Sequence, residues 1–118
     1  MPRSMPDAPT ILGAAVKYLE EELMPTLAGY HRFKTRVTIN ALMTVKREAE
    51  LRAAQAAGEA ERLTALVGHD GEVEALSAEL AERIRSGAVS VDDPSLRAHV
   101  RQSLADALAI NNPKWMAR

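Results

Sequence analysis

The chain has no cysteine among its 118 residues, which excludes a disulfide framework, a thiol nucleophile and thiolate metal sites together. Aromatic residues make up only 3%. An apolar interior therefore has to come from Leu, Ala, Val, Ile and Met, which favours slender helices packed closely over a β-sandwich. The net charge of −1 creates no field that would draw the molecule onto nucleic acid or an anionic membrane, so neither is expected as a partner. No run approaches the ~20 apolar residues of a membrane-spanning helix. The opening Met1-Pro2-Arg3-Ser4-Met5-Pro6-Asp7 lacks the apolar core of a signal peptide, and a cytoplasmic protein is expected.

What is present is 47% hydrophobic and 26% charged residues, the balance of one globular domain. A chain of this size buries roughly two thirds of its unfolded surface, with little to spare. A homo-oligomer, specifically a homodimer, is therefore expected.

Residues 1–9, with prolines at 2, 6 and 9, are expected to be an irregular lead, residues 10–112 one helical domain and 113–118 a tail. From Thr10, the positions Leu12, Val16, Leu19 and Leu23 form one helical stripe. Pro25 should stop that helix, and Gly29 should open the connection to the next. A long central helix from His31 to about Ala54 carries Phe33, Val37, Thr44 and Leu51 on one face, with Ile39, Ala41, Leu42, Met43 and Val45 around it, the pattern of a mostly buried helix. It either continues through Gly58 or breaks there, with a short helix from Glu59 to Val67 ended by Gly68. Asp70 is expected to cap the following helix, whose stripe is Val73, Leu76, Leu80 and Ile84 and which Gly87 closes. Asp93-Pro94 is the signature of a further helix start. That last helix should place Leu96, Val100, Leu104, Ala107 and Leu108 inward, and Asn111-Asn112-Pro113 should end it.

The central helix holds the most informative residues. Arg36, Asn40 and Arg47 interrupt its most apolar face, and Glu48 and Glu50 lie close by. A buried guanidinium without a partner is prohibitively costly. These residues are therefore either a salt-bridge network that sets helix packing or a pocket for a phosphate or carboxylate. Charge is also uneven. His31 to Ala54 is basic and Glu59 to Arg85 acidic, which suits attraction between helices more than recognition of nucleic acid.

The three histidines, His31, His69 and His99, have no metal-binding spacing; His31, at the start of the central helix, is the candidate among them. No phosphate-binding glycine loop or nucleophile elbow occurs, so neither cofactor nor catalytic residue is assigned. Glu20-Glu21-Glu22 is the solvated face of the first helix. Trp115 and Met116 are either a loose end or docked on the fold or a partner.

The run Phe33, Arg36, Val37, Asn40, Leu42, Val45, Arg47, Glu48 and Glu50, with Leu19-Glu20-Glu21-Glu22, Pro25, Asp92-Asp93-Pro94, Leu108-Ala109-Ile110 and Asn112-Pro113, resembles an uncharacterised bacterial family of small helical proteins. The likeness extends from about Thr10 to Pro113; Gly13 and Gly58 depart from the pattern. Such domains of unknown function are encoded beside, or fused to, aminoglycoside and choline kinase-like phosphotransferases, often with an acyl-CoA dehydrogenase nearby. The resemblance marks Arg36, Asn40, Arg47, Glu48 and Glu50 without giving them a role. That association implies a shared pathway, not an activity; together with the apolar wrap of the central helix and the lack of a catalytic constellation, it leads to the expectation of a non-enzymatic accessory protein working with the kinase and the dehydrogenase. The alternative is a binding module or small enzyme for acyl-CoA, a nucleotide or a phosphorylated metabolite. The expected architecture is all-α, a four- or five-helix antiparallel bundle around the long central helix.

Overall fold

A computed structural model describes residues 6–114, and among them the secondary structure is helical, with no strand. The helices are α1 (Ala8–Lys17), a π-helical segment (Tyr18–Leu23), a 3₁₀ turn (Met24–Thr26), α2 (Gly29–Val67), α3 (Val73–Ser86) and α4 (Pro94–Asn111). The chain is all-α. It divides into two compact units, residues 1–51 and 52–118, and α2 contributes to both. The tail residues Trp115 and Met116 lie outside the described residues.

In the first unit α1 begins two residues earlier than Thr10. Asp7 Oδ1 accepts the Thr10 amide at 3.0 Å, and Pro9 occupies the first turn, where its missing N–H costs nothing. The π-helical segment follows, its last amide reaching from Met24 to the Leu19 carbonyl. Pro25 then ends the run in a 3₁₀ turn, and Gly29, at φ +60°, turns the chain into α2. The returning helix is antiparallel. Arg32 Nη1 donates to the Met24 carbonyl at 3.1 Å, Arg36 meets Glu20, and Lys46 Cε lies 3.4 Å from where a Gly13 Cβ would stand. Met24 and Ile39 are the buried side chains here, and Leu12, Val16, Leu19 and Leu23 are half-buried.

The second unit holds the larger core. Leu63 and Val67 of α2 pack with Leu76 and Leu80 of α3 and Leu96 of α4, and Leu66, Val73, Ile84 and Val89 close around them. α2 passes Gly58 without a break: one helical glycine costs about 1 kcal/mol, and Arg62 Nη1 stands 3.4 Å from where its Cβ would be. The helix ends at Gly68, φ +86°, whose amide bonds to the Thr64 carbonyl at 2.8 Å. The start of α3 corrects the expectation for Asp70. Glu72 is the capping residue, because the first helical amide bond runs from Leu76 to its carbonyl at 2.9 Å, and its side chain makes no cap bond. Gly87 closes α3 in the left-handed conformation at φ +83°. Asp93 caps α4 as expected, its Oδ1 accepting the Ser95 and Leu96 amides at 2.8 and 3.1 Å.

Two burial expectations fail. In the first half of α2, Phe33, Val37 and Val45 are exposed, because the single antiparallel neighbour in that unit covers only the side of Ile39. In α4 only Leu96 is buried, while Val100, Leu104 and Leu108 are exposed. The side of α4 turned to α2 is polar instead: Gln55 Nε2 donates to the Asp106 carbonyl at 3.0 Å and Arg62 Nε to His99 at 3.0 Å.

Truncating Leu76 to Ala should lower unfolding free energy by about 2–5 kcal/mol, and Asp93→Ala by about 1 kcal/mol. Urea unfolding followed by circular dichroism checks both, and equal losses would contradict the assigned core.

Candidate functional site

The residues marked on the central helix all fall in the first unit. Arg36 and Glu20 form an ion pair at 3.3 Å with both side chains about half exposed, 49% and 50%, so solvent screens it heavily. Lys46 Nζ pairs with Glu50 Oε1 at 3.1 Å. Arg47 Nη2 donates to Thr44 Oγ1 at 3.3 Å, and that hydroxyl in turn donates to the Asn40 carbonyl at 3.0 Å. Asn40 and His31 are exposed, Arg47 and Glu48 half-buried. The His31 ring stands edge-on to Tyr30, centroids 5.3 Å apart. Arg36, Asn40 and Arg47 share a side of α2, bordering the exposed Phe33 and Val37.

Two polar clusters in the second unit were not singled out from sequence. The first joins α2 to α4. Arg62 Nε donates to His99 Nδ1, Arg62 Nη2 reaches Ser103 Oγ at 3.4 Å and lies 3.9 Å from Asp106 Oδ2. A guanidinium only donates, so His99 Nδ1 is an acceptor and the ring is neutral with its proton on Nε2. Burial, and then the positive charge of Arg62, lower the His99 pKa, partly offset by Glu59. Arg62 stands where a nucleophile–base contact would be needed: Ser103 bonds to it, not to the imidazole. The cluster therefore lacks a serine activated by a base and acts as a polar seam between helices. The spacing of Gln55, Glu59 and Arg62 on one helix and His99, Ser103 and Asp106 on another, each at i, i+4, i+7, was its sequence signal.

The second cluster lies where α2 meets α3. His69 Nδ1 is 2.9 Å from the Asp70 carbonyl, and Nε2 is 2.8 Å from Glu79 Oε1. Both nitrogens face acceptors, which only the imidazolium can satisfy. The Asp70 carbonyl first, then the Glu79 carboxylate, raise the His69 pKa. The same contact is the largest cause lowering Glu79, which Arg83 also approaches. Among the described residues no group of three or more His, Asp or Glu could hold a metal ion, and no helix is long and apolar enough to cross a membrane.

Exposed apolar side chains are the more unusual surface feature. Tyr30, Phe33 and Val37 follow one another at helical spacing on α2, at 67%, 64% and 45% exposure. Isolated exposed apolar residues are ordinary, whereas here two of the chain's few aromatics share one exposed stripe.

Residues 25–115 match the family described as Domain of unknown function (DUF6285). Among curated proteins and among solved structures nothing matches the chain.

The two clusters separate the histidines by titration. Proton resonances should place His69 above, and His99 below, the ordinary value of about 6.5. Because folding raises His69, its contribution to stability is complete below about pH 6.5 and is lost as pH rises through its folded value. Glu79 is lowered, so its contribution holds above about pH 4.3 and is lost as pH falls through its folded value. Glu79→Gln should return His69 towards the ordinary value and leave His99 unmoved; identical titration of both histidines would contradict the geometry.

Proposed function

We propose that this chain, which belongs to the DUF6285 family, is a non-catalytic accessory protein that docks a partner protein on the side of α2 bearing Tyr30, Phe33 and Val37. The single observation that carries this reading is the exposure of those three side chains in one stripe. Aromatic anchors beside arginine are the composition of binding hot spots, and Arg36 and Asn40 border the stripe. Such a face loses water on docking, and the polar border sets the register.

The resemblance to domains encoded beside kinase-like phosphotransferases and acyl-CoA dehydrogenases supports the kinase as first partner, with the dehydrogenase as second. The polar seam of Arg62 and His99 supplies no activated nucleophile.

A second reading has one observation in its favour. Arg36, Asn40 and Arg47 project within roughly 40° of one another around the α2 axis, close enough for one anionic ligand such as an acyl-CoA, a nucleotide or a phosphorylated metabolite.

The purified kinase-like phosphotransferase should bind the chain, and Phe33→Glu should weaken binding roughly thirtyfold or more while the helical spectrum is kept. If neither kinase nor dehydrogenase copurifies with the chain or changes rate in its presence, the accessory reading fails. For the second reading, a ligand at a hundred times its dissociation constant should add about 2.7 kcal/mol of stability, visible as a raised unfolding midpoint. Asn40→Ala should abolish that rise without unfolding the protein; no rise with any of the three anion classes would remove this reading.

A further inference from the structure

The outward side of α4 carries Val100, Leu104 and Leu108, four residues apart and therefore in one stripe. All three are exposed, Leu104 at 62%. The stripe continues into an apolar depression of about 510 Å³ that Val91 and Leu96 also line, with Arg97 and Arg101 among its lining residues. We infer that this stripe docks against the same stripe of a second copy of the chain, the two α4 helices antiparallel about a twofold axis at Leu104.

A stripe centred on one residue is self-complementary. With Leu104 on the axis, Val100 lies level with the partner's Leu108 and Arg97 with the partner's Asn111, since each pair of numbers sums to twice 104. The 18 residues of α4 give a contact of about 27 Å. Such a pairing is isologous, so it closes at two copies and leaves no α4 stripe open.

Charge decides the direction. Arg97 sits in the first turn of α4, at the positive end of its own helix, an unfavourable place for a cation. Arg97 is held by the Val91 carbonyl and Asp92. Arg101 has no ion-pair partner among the described residues. An antiparallel copy lays Arg97 beside its negative C-terminal turn, whereas a parallel copy would set arginine against arginine. The tail beyond Lys114, a different protein and an apolar ligand are the other occupants, and with any of them the unaltered chain is a monomer.

The test uses the full chain, whose lack of cysteine lets single cysteines report contacts. Sedimentation equilibrium should give twice the 12.8 kDa chain mass, and Leu104→Glu should weaken the dimer roughly thirtyfold or more with helicity and unfolding midpoint retained. Under mild oxidation Leu104→Cys should form a disulfide-linked dimer. Val100→Cys alone should not, because its counterpart lies about 12 Å away along the axis, but it should cross-link to a Leu108→Cys chain. Phe33→Glu should leave the dimer intact, which separates this interface from the kinase-docking face. A monomer for the unaltered chain, an unchanged dimer for Leu104→Glu, or equal cross-linking of Val100→Cys and Leu104→Cys would overturn the inference. Dimerisation only after removal of residues 115–118 would assign the stripe to the tail and overturn it as well.

Discussion

The meeting of Leu63 and Val67 with Leu76, Leu80 and Leu96 is the contact that orients the second unit. Leu96 lies near the start of α4, two residues after the proline that begins it. Once that side chain is seated, helical periodicity dictates which residues further along face α2. They are His99, Ser103 and Asp106, and they find Arg62 and Gln55 opposite. Val100, Leu104 and Leu108 are turned outward by the same rotation. The polar seam and the apolar stripe are thus two faces of one packing decision.

The first unit is limited differently. Its α1 and π-helical run covers one side of α2, and two helices bury little apolar area between them; Met24 and Ile39 are its buried side chains. A slender helix has more than one apolar face here, and a single neighbour serves only one of them. Tyr30, Phe33 and Val37 are left over. The ion pair that bridges this hairpin, Arg36 with Glu20, is solvated and sets register more than it adds stability, and Lys46 with Glu50 pairs one turn apart within α2.

The two histidine clusters show how neighbouring groups give one residue type opposite character. His99 receives a hydrogen bond from a guanidinium and is partly withdrawn from water, so it is held neutral. His69 is exposed but faces a carbonyl and a carboxylate, which raise its pKa and favour the imidazolium. Neither arrangement depends on spacing within one helix alone, and both lie outside the polar cluster of the central helix.

Much of the fold was legible in the sequence because it rests on local rules. Asp93-Pro94 starts a helix and Gly87 ends one whatever surrounds them, and the stripes of Leu12 to Leu23 and Val73 to Ile84 identify helices by periodicity. Periodicity does not say which of several apolar faces is covered. For that reason Phe33, Val37, Val100 and Leu104 looked like core from their spacing, and only the number and placement of neighbouring helices put them at the surface. The positions of Arg36, Asn40 and Arg47 on one side of α2 followed from spacing as well. Arg36's partner, Glu20, and the seam of Arg62, His99 and Asp106 join residues far apart in the chain, where no local rule operates. The sequence by itself determined that the chain is helical, where most of its helices begin and end and which side chains share a face. Tertiary structure alone decided which face each helix hides, because burial depends on what lies opposite.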